Sequence, residues 1–191
     1  MRATEFLIEY AGMDEPYPDL HQDPASVQDY VTYYATIPDT DKKLFINFYN
    51  LLSDKLDSFK VVDISFGIRR PDRFSTNYDP PTGLRGTPQA RTNARQMFRM
   101  LSTVVEAIDR YIAEYGEPVA FSFAPLTEKL GQIYSRLEPR VLAKYKYIPV
   151  SLVKFGDIAS SLTNEDYHEV FSLFDTRGQY FVRSDLVRQY D

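Results

Sequence analysis

The chain has no cysteine, no tryptophan and only two histidines among its 191 residues. Without cysteine there is no disulfide framework, no thiol nucleophile and no thiolate metal site. His21 and His168 lie in unrelated contexts, so neither a histidine-based triad nor a histidine metal centre has support. No apolar run reaches the roughly 20 residues needed to span a bilayer. The opening MRATEFLIEYAGMDEP also lacks the uncharged stretch of a signal peptide. Together these absences lead us to expect a soluble protein of a reducing, intracellular compartment, with no metal and no membrane partner.

Hydrophobic residues make up 43% of the chain, enough for one buried core, and 15 Tyr with 13 Phe imply that rings carry much of the packing. Charge is unevenly distributed. Residues 1–58 hold eleven acidic against four basic side chains, a balance of −7. Residues 69–99 hold seven arginines against Asp72 and Asp79, a balance of +5. A net charge of −5 argues against extended nucleic-acid binding, while the arginine-rich centre suits a phosphate or an acidic protein surface.

Prolines 16, 18, 24 and 38 mark residues 1–40 as an irregular N-terminal arm, with helical promise only over 26–35. Residues 41–191 are expected to form a single globular α/β domain. Leu44, Phe45, Phe48, Leu51, Leu52 and Leu56 follow a helical spacing behind a Thr40 or Asp39 cap. VVDISFGI (61–68) reads as a buried strand interrupted by Asp63, and a long loop over 69–86 follows it. The next helix opens at Thr87-Pro88 and places Met97, Leu101, Val104, Val105, Ile108 and Ile112 on one face. Gly116 and Pro118 stop it. PVAFSF (118–123) is a second strand, Pro125 opens another helix running to Leu142, and YIPVSLVKF (147–155) is a third strand.

The chemistry concentrates in PTGLRGTPQARTNARQMFRML (81–101). Gly83 and Gly86 free the backbone ahead of a helix N-terminus, where unpaired N–H groups and the helix dipole favour an anion. Arg85, Arg91 and Arg95 add charge-assisted bonds. No Gly-Lys-Ser/Thr follows and a third dinucleotide-type glycine is missing, so neither nucleotide fingerprint applies. A solvated arginine face on an ordinary loop is the alternative. Asp63 requires a partner in its apolar strand, and a salt bridge to Arg69, Arg70 or Arg95 would supply one. LTNEDYHEVFSLFDTRGQYFVRSDL has an EF-hand outline, but arginine and glutamine stand where calcium ligands belong. A hairpin turning at Asp175-Thr176-Arg177-Gly178, with FSLF and QYFVR as its strands, accounts for it better.

The order VVDISFGI, TGLRGTPQA loop, helix, PVAFSF and a helix bearing Ile133-Tyr134-Ser135-Arg136 resembles the C-terminal half of a GNAT-type N-acetyltransferase. That resemblance implies a GNAT-like layout, with a mixed sheet of about five strands flanked by helices. It further implies acetyl-CoA held by Arg85, Gly86, Arg91 and Arg95, Tyr134 as general acid, and Asp63 as the base for an amine. Pro88 and the distance from Tyr134 to Lys146-Tyr147 depart from the family's pattern. The same stretch, with FRMLSTVVEAIDRYI and IYSRLEPRV, also resembles a group of small bacteriophage-encoded proteins. This second likeness implies a phage origin and the host cytoplasm, without a particular chemistry. The first functional reading is thus a phage accessory protein that binds a host or phage protein through a charged surface and needs no cofactor. The alternatives are a GNAT-type acyltransferase using acetyl-CoA and a virion structural component.

Overall fold

The computed structural model describes residues 15–51, 59–69, 89–123, 145–163 and 178–190. In chain order these form β1 (His21–Gln22), β2 (Tyr30–Thr36), β3 (Lys43–Asn50), β4 (Val61–Arg69), α1 (Gln89–Tyr115), β5 (Ala120–Phe123), β6 (Tyr147–Val150), α2 (Leu152–Thr163), β7 (Gln179–Arg183) and α3 (Ser184–Gln189). The class is α+β. The strands make one seven-stranded mixed sheet in the order β1-β2-β3-β4-β5-β7-β6. β4 and β5 run parallel, whereas β1 with β2, β5 with β7 and β6 with β7 are antiparallel.

The sheet exceeds the expected five strands because three N-terminal segments, β1, β2 and β3, form strands where an irregular arm and helix were expected. Residues 30–36 are β2, since Tyr30, Val31, Thr32, Tyr33 and Tyr34 all favour a pleated surface over a helix. The helix expected from Leu44 to Leu56 is instead β3 over its first part. Leu44, Ile46 and Phe48 are buried at a period of two, while Lys43, Phe45 and Tyr49 are more open. A tight turn joins β2 to β3. Thr40 N–H donates to the Ile37 carbonyl at 3.3 Å, Pro38 fixes the second position and Asp39 has φ +62°, the pattern of a type II turn.

Two compact units are present: Met1–Ser26, Val31–Asn47 and Phe66–Glu114 form one, and Val27–Tyr30, Phe48–Ser65 and Tyr115–Asp191 the other. In the first, α1 buries Met100, Val104, Ala107, Ile108 and Tyr111 at helical spacing. The segment 15–20 is tied along this helix. Tyr17 N–H donates to Thr103 Oγ1 at 2.8 Å, Arg99 Nε donates to the Glu15 carbonyl at 3.1 Å, and Arg110 donates to the Leu20 carbonyl. In the second unit, Phe59, Val61, Ala120, Tyr180 and Val182 form a core with Phe155, Ile158 and Ala159 of α2.

The remaining boundaries have local causes. Gly116, at φ +80°, lets the chain leave α1 in the left-handed region. The strand expected over 147–155 ends at Val150, because Ser151 caps α2: its Oγ accepts from Lys154 N–H at 3.2 Å and its carbonyl from Phe155 N–H at 2.9 Å. β6 is the last strand of the sheet, and Pro149 removes one donor from it. QYFVR is a strand, as expected, with β5 and β6 as its partners. FSLF lies outside the described residues, as do the helix expected from Pro125 to Leu142 and the turn over 175–177.

Candidate functional site

Of the residues singled out in the sequence, Asp63 is described in full. It lies on β4 in register with Ser122 of β5, its parallel neighbour. The Ser122 hydroxyl donates to Asp63 Oδ1 at 2.6 Å. Ser122 is in turn in register with Tyr180 of β7, so Asp63, Ser122 and Tyr180 form a row of polar groups across one face of three strands. Arg91 and Arg95 fall in the first two turns of α1, whose opening turn contains no acidic residue. Their side chains lie outside the described set, as do Arg85, Gly86 and Tyr134 in full.

The row rests on a rigid floor. The Tyr180 ring stacks on Phe155 of α2 with centroids 4.5 Å apart and planes at 14°. Backbone space beside it is tight, since a Cβ on Gly178 would come 2.7 Å from the Tyr180 hydroxyl oxygen. Toward the sheet edge, the buried Tyr147 donates its hydroxyl to the Pro118 carbonyl at 2.6 Å and packs 5.1 Å from Phe121. Burial pushes the Tyr147 phenol above its ordinary value of 10.0. Glu117, Asp185 and Tyr145 act in the same direction, and Arg183 opposes them. In the same unit Lys60 Nζ donates to the Tyr115 carbonyl at 3.1 Å, where α1 ends. Desolvation holds this ammonium below its ordinary 10.5, against the pull of Asp29.

The first unit carries a cavity of about 390 Å³ lined by Gln22, Tyr33, Arg110, Ala113 and Glu114. Its guanidinium is engaged internally, by the Leu20 carbonyl and by Glu106 at 2.6 Å. None of the residues expected from the sequence lines it. His21 packs against Tyr34 in a tilted arrangement, with ring centroids 5.8 Å apart and planes at 44°. Among the described residues no group of three or more His, Cys, Asp or Glu could hold a metal ion, and no helix is long and apolar enough to cross a membrane.

Sequence reasoning missed Ser122. The available signal was that VVDISFGI and PVAFSF each carry a polar residue on an otherwise buried strand, and a parallel pairing in register brings the two together. The carboxylate therefore has a hydroxyl partner; the side chains of Arg69, Arg70 and Arg95, the expected salt-bridge partners, lie outside the described residues. Chemically, a carboxylate held by a hydroxyl donor can receive a proton or anchor a cation. Comparison of the chain with protein-family models, with curated proteins and with solved structures gave no match.

Proposed function

We propose that this chain has a GNAT-like layout, binds acetyl-CoA and transfers its acyl group to an amine. The observation that carries the reading is the β4–α1–β5 unit. β4 and β5 are parallel neighbours joined through a long helix whose first two turns contain Arg91 and Arg95 and whose opening turn lacks any acidic residue. A helix N-terminus of this kind favours a phosphate group. In this reading Arg85, Gly86, Arg91 and Arg95 hold the pyrophosphate and Asp63 receives the amine's proton. Tyr134 protonates the leaving thiolate, and acetyl-CoA supplies the acyl group as a thioester.

Calorimetry and thermal unfolding with acetyl-CoA test this proposal. A ligand at about 100 times its Kd stabilises the folded state by about 2.7 kcal/mol, so binding registers in both measurements. The absence of both heat and protection at millimolar acetyl-CoA would remove the enzyme reading.

A second reading, the phage accessory protein that acts by binding, is favoured by a different observation. Val27, Tyr30 and Tyr49 are exposed, and the Tyr30 and Tyr49 rings meet edge to face at 6.3 Å, an apolar group on a chain whose N-terminal third is strongly acidic. A pull-down that yields a stoichiometric protein partner, lost on Tyr49→Ser substitution, supports it. Co-purification with assembled particles supports a virion component instead.

A further inference from the structure

A hydroxyl buried within a sheet carries a desolvation penalty that an alanine at the same place would not. Ala120, two residues earlier on the same face of β5, shows that this strand accepts alanine. Ser122 nevertheless stands at 3% exposure between Phe121 and Phe123, and its hydroxyl donates to Asp63 Oδ1 at 2.6 Å. That length lies within the range of an O–H···O bond to a carboxylate. The geometry leaves little slack. β5 is paired on both sides, to β4 and to β7, so the Ser122 backbone is fixed and only rotation about χ1 aims the hydroxyl. The next residue in the row, Tyr180, is clamped by Phe155.

We propose that Ser122 is a positioning residue: its hydroxyl fixes the orientation of the Asp63 carboxylate, so that Asp63 is aimed to take the proton of an amine acceptor. The functional half of this proposal rests on the acyltransferase reading above, whereas the link between the two side chains does not. Ser122 touches neither substrate nor cofactor in this scheme. It acts through Asp63, in the way that a supporting hydrogen bond preorganises a reactive group on a rigid element.

The test uses the full chain with carboxyl-13C aspartate, the Asp63 signal being assigned by its loss in Asp63→Asn. A hydrogen bond to the charged form favours that form, so Ser122→Ala is expected to raise the proton affinity of the Asp63 carboxyl about tenfold. Ser122→Thr, which keeps the hydroxyl, is expected to restore it. An Asp63 signal that titrates identically in the wild type and in Ser122→Ala overturns the proposal, whatever the chain's activity. Acetyl transfer to small primary amines is then measured in the same variants. Ser122→Ala is expected to lower kcat about tenfold with acetyl-CoA affinity unchanged, and Ser122→Thr to recover it. An equal loss of acetyl-CoA affinity, or no loss of kcat in an active chain, overturns the positioning role. A wild-type chain that takes no acetyl-CoA removes the acyltransferase reading instead, and the carboxyl titration alone then decides the Ser122–Asp63 link.

Discussion

Replacing Tyr147 by phenylalanine removes a single oxygen and should reveal two separable effects. The side chain is 0% exposed, and its hydroxyl donates to the Pro118 carbonyl at 2.6 Å. A hydrogen bond of this kind contributes about 0.5–1.5 kcal/mol net, and depriving a buried acceptor of its donor costs about 1–3 kcal/mol. The ring still packs against Phe121, so the expected loss is about 1–2 kcal/mol at neutral pH, or roughly 2–8 °C in Tm for a chain of this size. The second effect is alkaline. Because burial raises the Tyr147 phenol above 10.0, the folded protein holds this proton more tightly than the unfolded chain does. The resulting stabilisation is complete below pH 10.0 and is lost as pH rises beyond it, at up to about 1.4 kcal/mol per pH unit. Phenylalanine has no such proton. Urea unfolding of both proteins at about pH 8, 10 and 11 isolates the contribution of Tyr147 from the other tyrosines by difference. The wild type should lead by about 1–2 kcal/mol at about pH 8, by about 0.4 kcal/mol less at about pH 10, and lose most of that lead by about pH 11. A gap that stays constant across the range would refute the assignment of a buried, proton-retaining phenol to this position.

Two further substitutions test the backbone. Asp39 holds φ +62° in the β2–β3 turn, so Asp39→Gly should relieve left-handed strain and raise stability by about 0.5 kcal/mol net of the unfolded-state cost of glycine, read by chemical denaturation. A loss of stability there would mean that the aspartate side chain matters more than its backbone. Gly178→Ala should cost about 1–3 kcal/mol by forcing the Tyr180 ring off its stack with Phe155, visible as a change in near-ultraviolet circular dichroism; an unchanged spectrum and stability would contradict it.

Legibility in the sequence followed the strength of local physics. α1 was readable because Pro88 precedes it, Gly116 ends it and its apolar stripe persists for many turns. The buried face is Met100, Val104, Ala107, Ile108, Tyr111 and Ile112, overlapping the expected stripe at Val104, Ile108 and Ile112. β4 and β5 were readable because both are short, apolar and bounded by turn residues. β3 was misread because Leu44, Phe45 and Phe48 satisfy a helical spacing as well as a strand's, and the β-favouring character of Phe45, Ile46, Phe48 and Tyr49 was the better guide. α2 was missed because Ser151 as a cap is a one-residue signal inside a run that otherwise looks extended. At the candidate site, Asp63 stood out as a charge in an apolar strand. Ser122 did not, since pairing two strands 59 residues apart requires the register, which depends on tertiary structure.

The tie between the 15–20 segment and α1 also bears on how the chain matures during synthesis. Tyr17 and its partner Thr103 are 86 residues apart, and Leu20 and Arg110 are 90 apart. At about 5–20 residues translated per second, 86 residues take roughly 4–17 s to appear. For that interval Tyr17 and Leu20, both buried in the finished fold, have no helix to dock on. The segment made early is therefore secured late, and the nascent chain presents an aromatic and a leucine to chaperones until α1 has left the ribosome.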